Sequence, residues 1–228
     1  MDFTFGIIAD GNYDHFINET INSIEMENIP NYEIIVVGNS GVIRNNTIVI
    51  PFNENIRPMW ITKKKNIITQ NAKYENIVFL HDYIRLCPGW YEGYLKFGND
   101  FIVCMNIILN LDGSRFRDWV LWENPTINGE EIIKRAEHII PYHIDNLSRY
   151  MYFSGAYWVA KKYIMEKIPL NEDLVWNRGE DVEWSKKYRV DNKFLMNINS
   201  KVKLMKMKDP VYRFLEDEET IKKLIDLK

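Results

Sequence analysis

Short apolar runs alternate with segments of helical periodicity over the first hundred residues, and this alternation constrains the fold more than any other feature. Apolar, largely β-branched runs of strand length occur at residues 3–9, 33–37, 47–51 and 76–80. Apolar side chains recur with helical spacing at residues 13–27 and 61–72. Strands that are apolar along nearly their whole length are typical of parallel strands covered on both faces. The sequence therefore predicts an α/β fold with a mixed, mostly parallel central sheet flanked by helices.

The second half of the chain carries a more mixed pattern. We predict a strand at residues 100–109, a tight turn at 112–114 and an aromatic-rich strand at 150–159. We predict helices at residues 130–138, 161–167, 182–188 and, as a charged amphipathic tail, 216–228. No linker or repeat interrupts the pattern, so we expect one domain over residues 1–228. Within it we distinguish a first half (1–100), a second half (101–205) and the tail (206–228).

Composition argues against several classes of protein. The net charge of −3 is not the basic excess that is typical of a general nucleic-acid binder. Cys87 and Cys104 lie in apolar stretches without metal-type spacing, which predicts two reduced side chains rather than a disulfide scaffold. The sequence has neither the features of a signal peptide nor an apolar run of the ~20 residues that span a membrane. We therefore expect a cytoplasmic protein, in the host cytoplasm if the source is a virus.

Polar residues follow three of the predicted strands. Asp10 and Gly11 follow the first, Gly38-Asn39 the second, and His81-Asp82 the fourth. Ligands of open α/β sheets bind beyond the carboxyl ends of the strands, so this convergence predicts a ligand site. A carboxylate such as Asp82 can hold Mg²⁺ or Mn²⁺, which in turn neutralises a diphosphate. A turn or helix-cap role for Asp82 is the alternative.

Acidic and basic residues mark two predicted helix starts. In GEDVEW (179–184), Asp181 is either a helix cap or a general base near an acceptor hydroxyl, with Glu180 orienting it or binding the acceptor. In WITKKKN (60–66), Lys64 and Lys65 can meet a diphosphate beside the free N–H groups of the helix start. A solvated polar face is the alternative for at least one of the three lysines there.

Aromatic and histidine side chains supply further candidates. Aromatic faces stack on sugar rings, and the candidates are Trp119, Trp122, Tyr152, Tyr157 and Trp158. Most buried aromatic residues belong to the core, so we expect only one or two of them to line a pocket. His138 and His143 are candidate late metal ligands, although a lone histidine more often has a structural role.

The order of these motifs resembles that of family-2-type glycosyltransferases, in particular the short, single-domain kind seen in viruses and bacteria. SIEMENIPNYEIIVVGNSG resembles the first helix and second strand of that family, and KKKNIITQNAKYENIVFLHDYIRLCPGW resembles the block that ends in its acidic "DxD" region. YFSGAYWVAKKYIMEKIPLNEDLVWNRGEDVEWSKKYR resembles the acceptor half. The likeness covers roughly residues 3 to 205, and the ordered set of motifs is more specific than any one of them.

The resemblance implies a GT-A fold, Rossmann-like in its first half, and inverting transfer of a sugar from a nucleoside-diphosphate sugar to a glycan or other hydroxyl acceptor. Asp82 matches the metal and diphosphate region, and Asp181, with Glu180 before it, matches the catalytic base. Asp10 and Gly11 match the end of the first strand, where the nucleoside binds; Gly38 and Asn39 stand where acids commonly hold the base or ribose. Gly155, Trp119 and Trp158 fall in the acceptor half.

Two departures from the family pattern leave the donor and the metal ligands open. His81 and Tyr83 stand where the family usually has aspartate, so a Mn²⁺ or Mg²⁺ ion would use Asp82 with His81 or a later ligand such as His143. Without an acidic pair at residues 38–40, the donor can be a UDP-, GDP- or dTDP-sugar.

Two alternative functions are a nucleotidyltransferase and a sugar-nucleotide or glycan-binding protein that has lost catalysis. IIADGNYD lacks the glycine-rich basic loop that the first requires, and GEDVEW opposes the second. The apolar face of the tail helix either covers the domain or joins two copies, so a homodimer is also possible.

Overall fold

The computed structural model describes residues 1–133 and 137–227. The strands are β1 (Phe3–Ile8), β2 (Tyr32–Val37), β3 (Thr47–Ile50), β4 (Asn76–His81), β5 (Ile84–Leu86), β6 (Val103–Leu109), β7 (Val120–Leu121), β8 (Thr126–Ile127), β9 (Glu130–Glu131), β10 (His138–Ile139), β11 (Met151–Tyr152), β12 (Tyr157–Lys161), β13 (Phe194–Leu204) and β14 (Arg213–Phe214). The helices are α1 (Asp14–Glu25), α2 (Ile61–Asn71), α3 (Trp90–Phe97), α4 (Lys162–Lys167), α5 (Glu180–Tyr188) and α6 (Glu218–Ile225), with one 3₁₀ turn at Ser148–Tyr150.

Eight strands form the central sheet, in the order β3-β2-β1-β4-β12-β6-β13-β5. The first four are parallel to one another, and β13 is parallel to β6. β12 runs antiparallel to both β4 and β6, and β5 runs antiparallel to β13 at the edge. β1, whose six residues are all buried, lies between β2 and β4. The predicted mixed α/β sheet flanked by helices is confirmed.

The register of the sheet brings the polar ends of its strands together. Ile8, at the end of β1, is paired with Val37 of β2 and with His81 of β4. β12 starts beside the end of β4, where Tyr157 pairs with Leu80. The polar segments that follow β1, β2 and β4 therefore meet at one edge of the sheet, and the chain that leads into β12 joins them there.

The aromatic-rich segment at residues 150–159 is two strands, not the one that was predicted. β11 belongs to a small sheet of order β11-β7-β10-β14, whereas β12 belongs to the central sheet. Between them the chain turns, and the main-chain N–H of Tyr157 donates to the carbonyl of Ser154 at 3.2 Å. The alternation of aromatic and small residues continues through this turn, so the pattern conceals the change of sheet.

The predicted helix at residues 130–138 is wrong at both ends. Glu130–Glu131 pairs with Thr126–Ile127 in a hairpin, and His138–Ile139 joins the small sheet. Asn128 and Gly129 both have positive φ, which suits a tight hairpin turn and is unfavourable for a helix. Residues 134–136 lie outside the described residues.

Two elements have no clear signal in the sequence. β13 carries polar residues and a bulge between Asn197 and Lys201, which breaks the alternation expected of a strand. α3 begins directly after Gly89, a residue with a φ of 84° in the left-handed region. The α3 helix packs against β13, and β13 also pairs with β6, so both elements depend on partners that are distant in sequence.

The tail forms α6 as predicted and packs on its own domain. The side chain of Asp217 caps the helix by accepting a hydrogen bond from the N–H of Thr220 at 2.7 Å. Leu224 is fully buried in the main core, and its carbonyl accepts a 2.9 Å hydrogen bond from the side chain of Asn146. Lys228 lies outside the described residues. No helix in residues 1–133 and 137–227 has the length and apolar character to cross a membrane.

Candidate active site

A cleft of about 460 Å³ opens at the carboxyl ends of β1 and β4. Four parts of the chain line it: the turn after β1, the segment before and within α2, the end of β4, and the segment that follows β13. Trp176 adds an aromatic side chain from the loop before α5. The polar and charged lining residues are Asp10, Asn12, Glu54, Lys64, His81, Asp82, Lys206 and Lys208. The predicted ligand site at this edge of the sheet is therefore a cavity with charged walls.

Asp82 is the buried carboxylate of the cleft. Burial and, after it, the nearby Asp10 raise the pKa of Asp82, Lys206 and Lys64 oppose the rise, and the resulting pKa is about 6. Asp10 itself is exposed on the turn after β1, where its side chain accepts a 2.9 Å hydrogen bond from the N–H of Asn12. The two carboxylates thus face a common space, and a bound cation would relieve their repulsion.

His81 is buried beside Asp82 and stays neutral. Burial is the main cause that lowers the pKa of His81 well below its ordinary value, and the positive charge of Lys65 adds to the effect. Its main-chain N–H donates to the carbonyl of Ala156 at 3.1 Å, which fixes the end of β4 against the turn before β12. Among the described residues, the buried Nε2 atom of His81 has no hydrogen-bond partner. A ligand atom in the cleft can supply that partner.

Lys64 and Lys65 point to different places although they are adjacent. The Lys64 ammonium lines the cleft, donates to the carbonyl of Ala9 at 2.6 Å and pairs with Glu54. The Lys65 ammonium donates to the carbonyl of Gly155 at 2.8 Å and lies 4.4 Å from the centroid of the Trp158 ring. Of the two predicted diphosphate ligands, only Lys64 is therefore among the residues that line the cleft.

A second cluster surrounds Asp181 at the start of α5. The Asp181 Oδ2 atom accepts a 2.9 Å hydrogen bond from the N–H of Gly155, and its Oδ1 atom accepts one of 2.9 Å from the N–H of Val182. Burial raises the pKa of Asp181, while these main-chain donors and Lys65 oppose the rise. The carboxylate is thus held in one orientation from two sides, and it retains lone pairs for a further donor.

Glu180 and Lys65 complete this cluster. Burial and then the charge of Asp181 raise the pKa of Glu180. Burial lowers the pKa of Lys65 to about 8, and both acids oppose that change. The Lys65 ammonium donates to the carbonyl of Gly155, whose N–H donates to Asp181, and the N–H of His81 donates to the carbonyl of Ala156, the next residue. Residues 155–156 therefore join the Asp181 cluster to the end of β4, while Asp181 itself is not among the residues that line the cleft.

Gly155 is required by this geometry. A β-carbon at residue 155 would lie 3.0 Å from the Asp181 Oδ2 atom and 3.2 Å from the Glu180 Oε1 atom. Any side chain here would displace the carboxylate that the Gly155 N–H holds. The sequence predicted Gly155 near the acceptor, and the structure gives it direct contact with Asp181.

Other predicted site residues lie elsewhere. Trp119 and Trp158 are fully buried, the first donating to the carbonyl of Ile144 at 2.8 Å and the second stacked on Phe79, so neither ring has a free face for a sugar. The interpretation of these two rings as acceptor platforms is corrected, because core packing covers them. His143 is exposed on the loop after β10 and is not among the residues that line the cleft.

The segment that follows β2 packs against the turn that follows β1. A β-carbon at Gly38 would overlap the carbonyl of Ala9, and one at Gly11 would lie 3.2 Å from the Asn39 side chain. Gly38, Gly11 and Asn39 therefore shape the turn that carries Asp10, and the first two do so through the absence of a side chain.

Sequence reasoning missed one wall of the cleft. Lys206 and Lys208 follow β13, Tyr83 follows Asp82, and Trp176 lies at the mouth with 48% of its surface exposed. The signal for the lysines is their spacing in KMK (206–208), where two lysines flank one apolar residue as on a strand with one polar face. That spacing indicates a common direction for Lys206 and Lys208 but not what they face.

The carboxylate oxygens of the cleft suit a cation that also binds to a ligand. In the described residues, no group of three or more His, Cys, Asp or Glu side chains is arranged to hold a metal ion. Asp82 and Asp10 nevertheless bring two hard oxygen donors to one cleft, and Mg²⁺ commonly takes one or two carboxylates while phosphates and water supply its other ligands. The residues therefore fit a cation bound together with phosphates and do not by themselves form a complete cage.

The strand order, the cleft at the strand ends and the acid at the start of α5 fit a GT-A-type glycosyltransferase fold, which the similar solved structures show. GalNAc-T7, whose crystal structure contains UDP, GalNAc and Mn²⁺, is similar with a TM-score of 0.63 and 14% sequence identity over 95% of this chain. Staphylococcus aureus TarS is similar in its complex with UDP (TM-score 0.54, 15% identity, 100% of this chain) and in its complex with UDP-GlcNAc (TM-score 0.54, 14% identity, 97% of this chain).

These likenesses are of fold and not of close relationship. The chain spans 44% of the GalNAc-T7 chain and 67% and 61% of the two TarS chains. No protein-family model matches the sequence, and no curated protein matches it either.

Proposed function

We propose that the protein is an inverting, metal-dependent glycosyltransferase that moves a sugar from a nucleoside-diphosphate sugar to the hydroxyl of a glycan or another acceptor. The observation that carries this proposal is the positioned Asp181 carboxylate, which residues 155–156 join to the end of β4 and so to the charged cleft at the ends of β1 and β4. A general base must be fixed in direction and must lie close to the donor; the two main-chain hydrogen bonds to Asp181 support the first requirement, and the link to the cleft supports the second.

The nucleotide part of the donor binds in the cleft in this proposal. Asp10 and Gly11 hold the nucleoside, supported from behind by Gly38 and Asn39, and Lys64 and Asp82 lie toward the diphosphate. A UDP-sugar is the first donor to test, because GalNAc-T7 and TarS have each been crystallised with UDP or a UDP-sugar. GDP- and dTDP-sugars remain the alternatives that the sequence left open.

Asp82, with Asp10 and the neutral His81 nearby, would hold a Mn²⁺ or Mg²⁺ ion. Such an ion, when bound, would neutralise charge on the departing diphosphate. Asp82 must lose its proton to bind a cation, and its pKa of about 6 allows this at neutral pH. His143, an exposed residue outside the cleft lining, has no support as a third ligand.

The transfer itself is a single displacement. Asp181 takes the proton of the acceptor hydroxyl, whose oxygen forms a bond to the anomeric carbon from the face opposite the diphosphate. The bond between the anomeric carbon and the phosphate oxygen breaks, and its electron pair leaves with the nucleoside diphosphate. One displacement inverts the configuration at that carbon. Glu180, the acidic neighbour of Asp181, binds the acceptor or orients the base.

The assay that tests this proposal measures donor hydrolysis and sugar transfer together with nucleotide binding. We expect the purified protein to bind UDP in calorimetric titration and to release UDP from a UDP-sugar in the presence of Mn²⁺ and an acceptor. If none of UDP, GDP and dTDP binds, with Mn²⁺ or with EDTA, the site assignment is wrong.

A sugar-nucleotide-binding protein without catalysis is the second candidate, because HDY supplies one acid where the family usually has more. It predicts nucleotide binding but neither transfer nor hydrolysis with any of the three donor classes.

A further inference from the structure

The segment after β13 is held firmly over the cleft. The N–H of Met205 donates to the carbonyl of Tyr83 at 2.9 Å, which extends the sheet to the residue after Asp82. The side chain of Asn110 binds the main chain of Lys208 twice, accepting from its N–H at 2.9 Å and donating to its carbonyl at 2.6 Å. These bonds fix the positions from which the side chains of Lys206 and Lys208 reach into the cleft.

Two ammonium groups flank the ring of Tyr83. The Lys208 Nζ atom donates to the Tyr83 hydroxyl at 2.9 Å and lies 4.7 Å from the ring centroid. The Lys206 Nζ atom lies 3.9 Å from the same centroid and 5.3 Å from that of Tyr13. Cation–π contacts and one hydrogen bond to the neutral Tyr83 hydroxyl orient the two ammonium groups, but these contacts leave most of their N–H donors available.

Among the described residues, no carboxylate forms an ion pair with Lys206 or Lys208, although the charge of Lys206 acts on the Asp82 carboxyl and lowers its pKa. In contrast, Lys64 on the other wall pairs with Glu54. Burial lowers the pKa of Lys208 to about 8, and the positive charges of Arg117 and Lys206 lower it further. A cluster of cations that repel one another in a partly dry cleft is stabilised by binding an anion of multiple charge.

We propose that Lys206 and Lys208, oriented by Tyr83, bind the diphosphate of the donor and neutralise part of its charge without a metal ion. This inference rests on the proposed function, since it takes the nucleoside diphosphate as the ligand of the cleft. Asp82, Lys206 and Lys208 all line the cleft, so a diphosphate there can meet both a cation-binding carboxylate and the two lysines. The lysine pair supplies positive charge in addition to that of a cation on Asp82, where HDY has one acid and a fuller motif has more.

Calorimetric titration of UDP and of UMP in Mn²⁺ and in EDTA tests this proposal. We expect the wild-type protein to retain measurable UDP binding in EDTA. The Lys206→Gln/Lys208→Gln variant should lose roughly 10- to 100-fold in UDP affinity in EDTA, and less in Mn²⁺. The same variant should lose less affinity for UMP than for UDP, because UMP lacks the second phosphate. Lys206→Arg/Lys208→Arg should recover most of the UDP affinity because it keeps both charges.

The matched control is Lys201→Gln, which removes one lysine from the exposed surface of β13, and thermal unfolding verifies that every variant is folded. The proposal is overturned if EDTA abolishes UDP binding to the wild type, or if the Lys206→Gln/Lys208→Gln variant binds UDP in EDTA as the wild type does. If the wild-type protein binds no nucleotide under either condition, the proposed function fails as well. The two failures are therefore distinguishable.

Discussion

At the scale of single residues, the most direct prediction concerns Asp181, the proposed base, which is not among the residues that line the cleft. Asp181→Asn removes the base but keeps an oxygen that can accept the hydrogen bond from Gly155. We expect sugar transfer to fall by roughly 100- to 10,000-fold, while UDP affinity changes little. Steady-state rates and calorimetric titration of the same preparation measure the two quantities. Full transfer by Asp181→Asn would show that another group is the base.

The contact between Gly155 and Asp181 gives a second prediction. Gly155→Ala would bring a methyl group to 3.0 Å from the Asp181 Oδ2 atom, so we expect transfer to fall at least about tenfold and stability by about 1–3 kcal/mol. Gly41→Ala is the control, because its added carbon would also meet a carboxylate, Asp14, but at 3.3 Å on the surface. Equal effects of the two substitutions would argue against a special role for residue 155.

The raised pKa of Asp82 predicts a pH-dependent cost to stability. A carboxyl group whose pKa is about 6 in the folded protein and 3.8 ordinarily binds more protons when folded. The free energy of unfolding therefore decreases as the pH rises from about 4 to above 6. Asp82→Asn should raise the stability at pH 7 by up to about 3 kcal/mol, with a smaller gain at pH 5.

Chemical denaturation of the wild type, Asp82→Asn and the surface control Asp145→Asn at both pH values measures this effect. The same Asp82→Asn substitution should weaken UDP binding in Mn²⁺ more than in EDTA. A gain in stability that does not depend on pH would contradict the titration of Asp82 as its cause.

At the scale of elements, Leu224 is the buried side chain of α6, and the partly buried Ile221 packs on the same core. Leu224 is fully buried, whereas the neighbouring Ile225 is 47% exposed. Leu224→Ala should destabilise the protein by about 2–4 kcal/mol through lost burial and a residual cavity, and Ile225→Ala by less than about 1 kcal/mol. Denaturant unfolding measures both values, and similar losses for the two would mean that α6 packs differently.

β13 and α3, the two elements without a clear signal in the sequence, cannot be predicted from local patterns. β1, β2 and β4 are predictable because they are buried on both faces and are apolar throughout. β13 has partners on both edges but alternates between core and surface, and its bulge shifts the alternation after Asn197. Its position depends on β6 and α3, which are distant in sequence, so a local reading cannot find it.

At the scale of the whole molecule, the prediction of one domain implies one unfolding transition, whose midpoint a bound ligand shifts as a whole. UDP at about 100 times its dissociation constant should add about 2.7 kcal/mol to the free energy of unfolding. Circular dichroism and tryptophan fluorescence should report the same midpoint with and without UDP. Two separate midpoints would contradict the predicted single domain, and the absence of any shift would contradict nucleotide binding.

Hydrogen bonds join the two halves of the chain at the mouth of the cleft. Arg57, before α2, donates to the carbonyls of Glu172 and Asp173, and the N–H of Trp176 donates to the carbonyl of Met59 at 3.0 Å. These bonds link the loop before α2 to the loop before α5, and so hold the mouth of the cleft. The sequence contains all of these residues, but nothing in their spacing indicates that they meet.

The sequence by itself determined the α/β class, the first four strands and the polar groups at their ends, because burial on both faces and the ends of parallel strands leave local signals. It also marked Asp181 and Gly155 through the order of motifs. Only the tertiary structure decided that Lys64 and Lys65 diverge, that Trp119 and Trp158 belong to the core, and that Lys206 and Lys208 form a wall of the cleft. Those facts depend on which side chains meet across the sheet, and contacts between distant segments leave no periodicity in the chain.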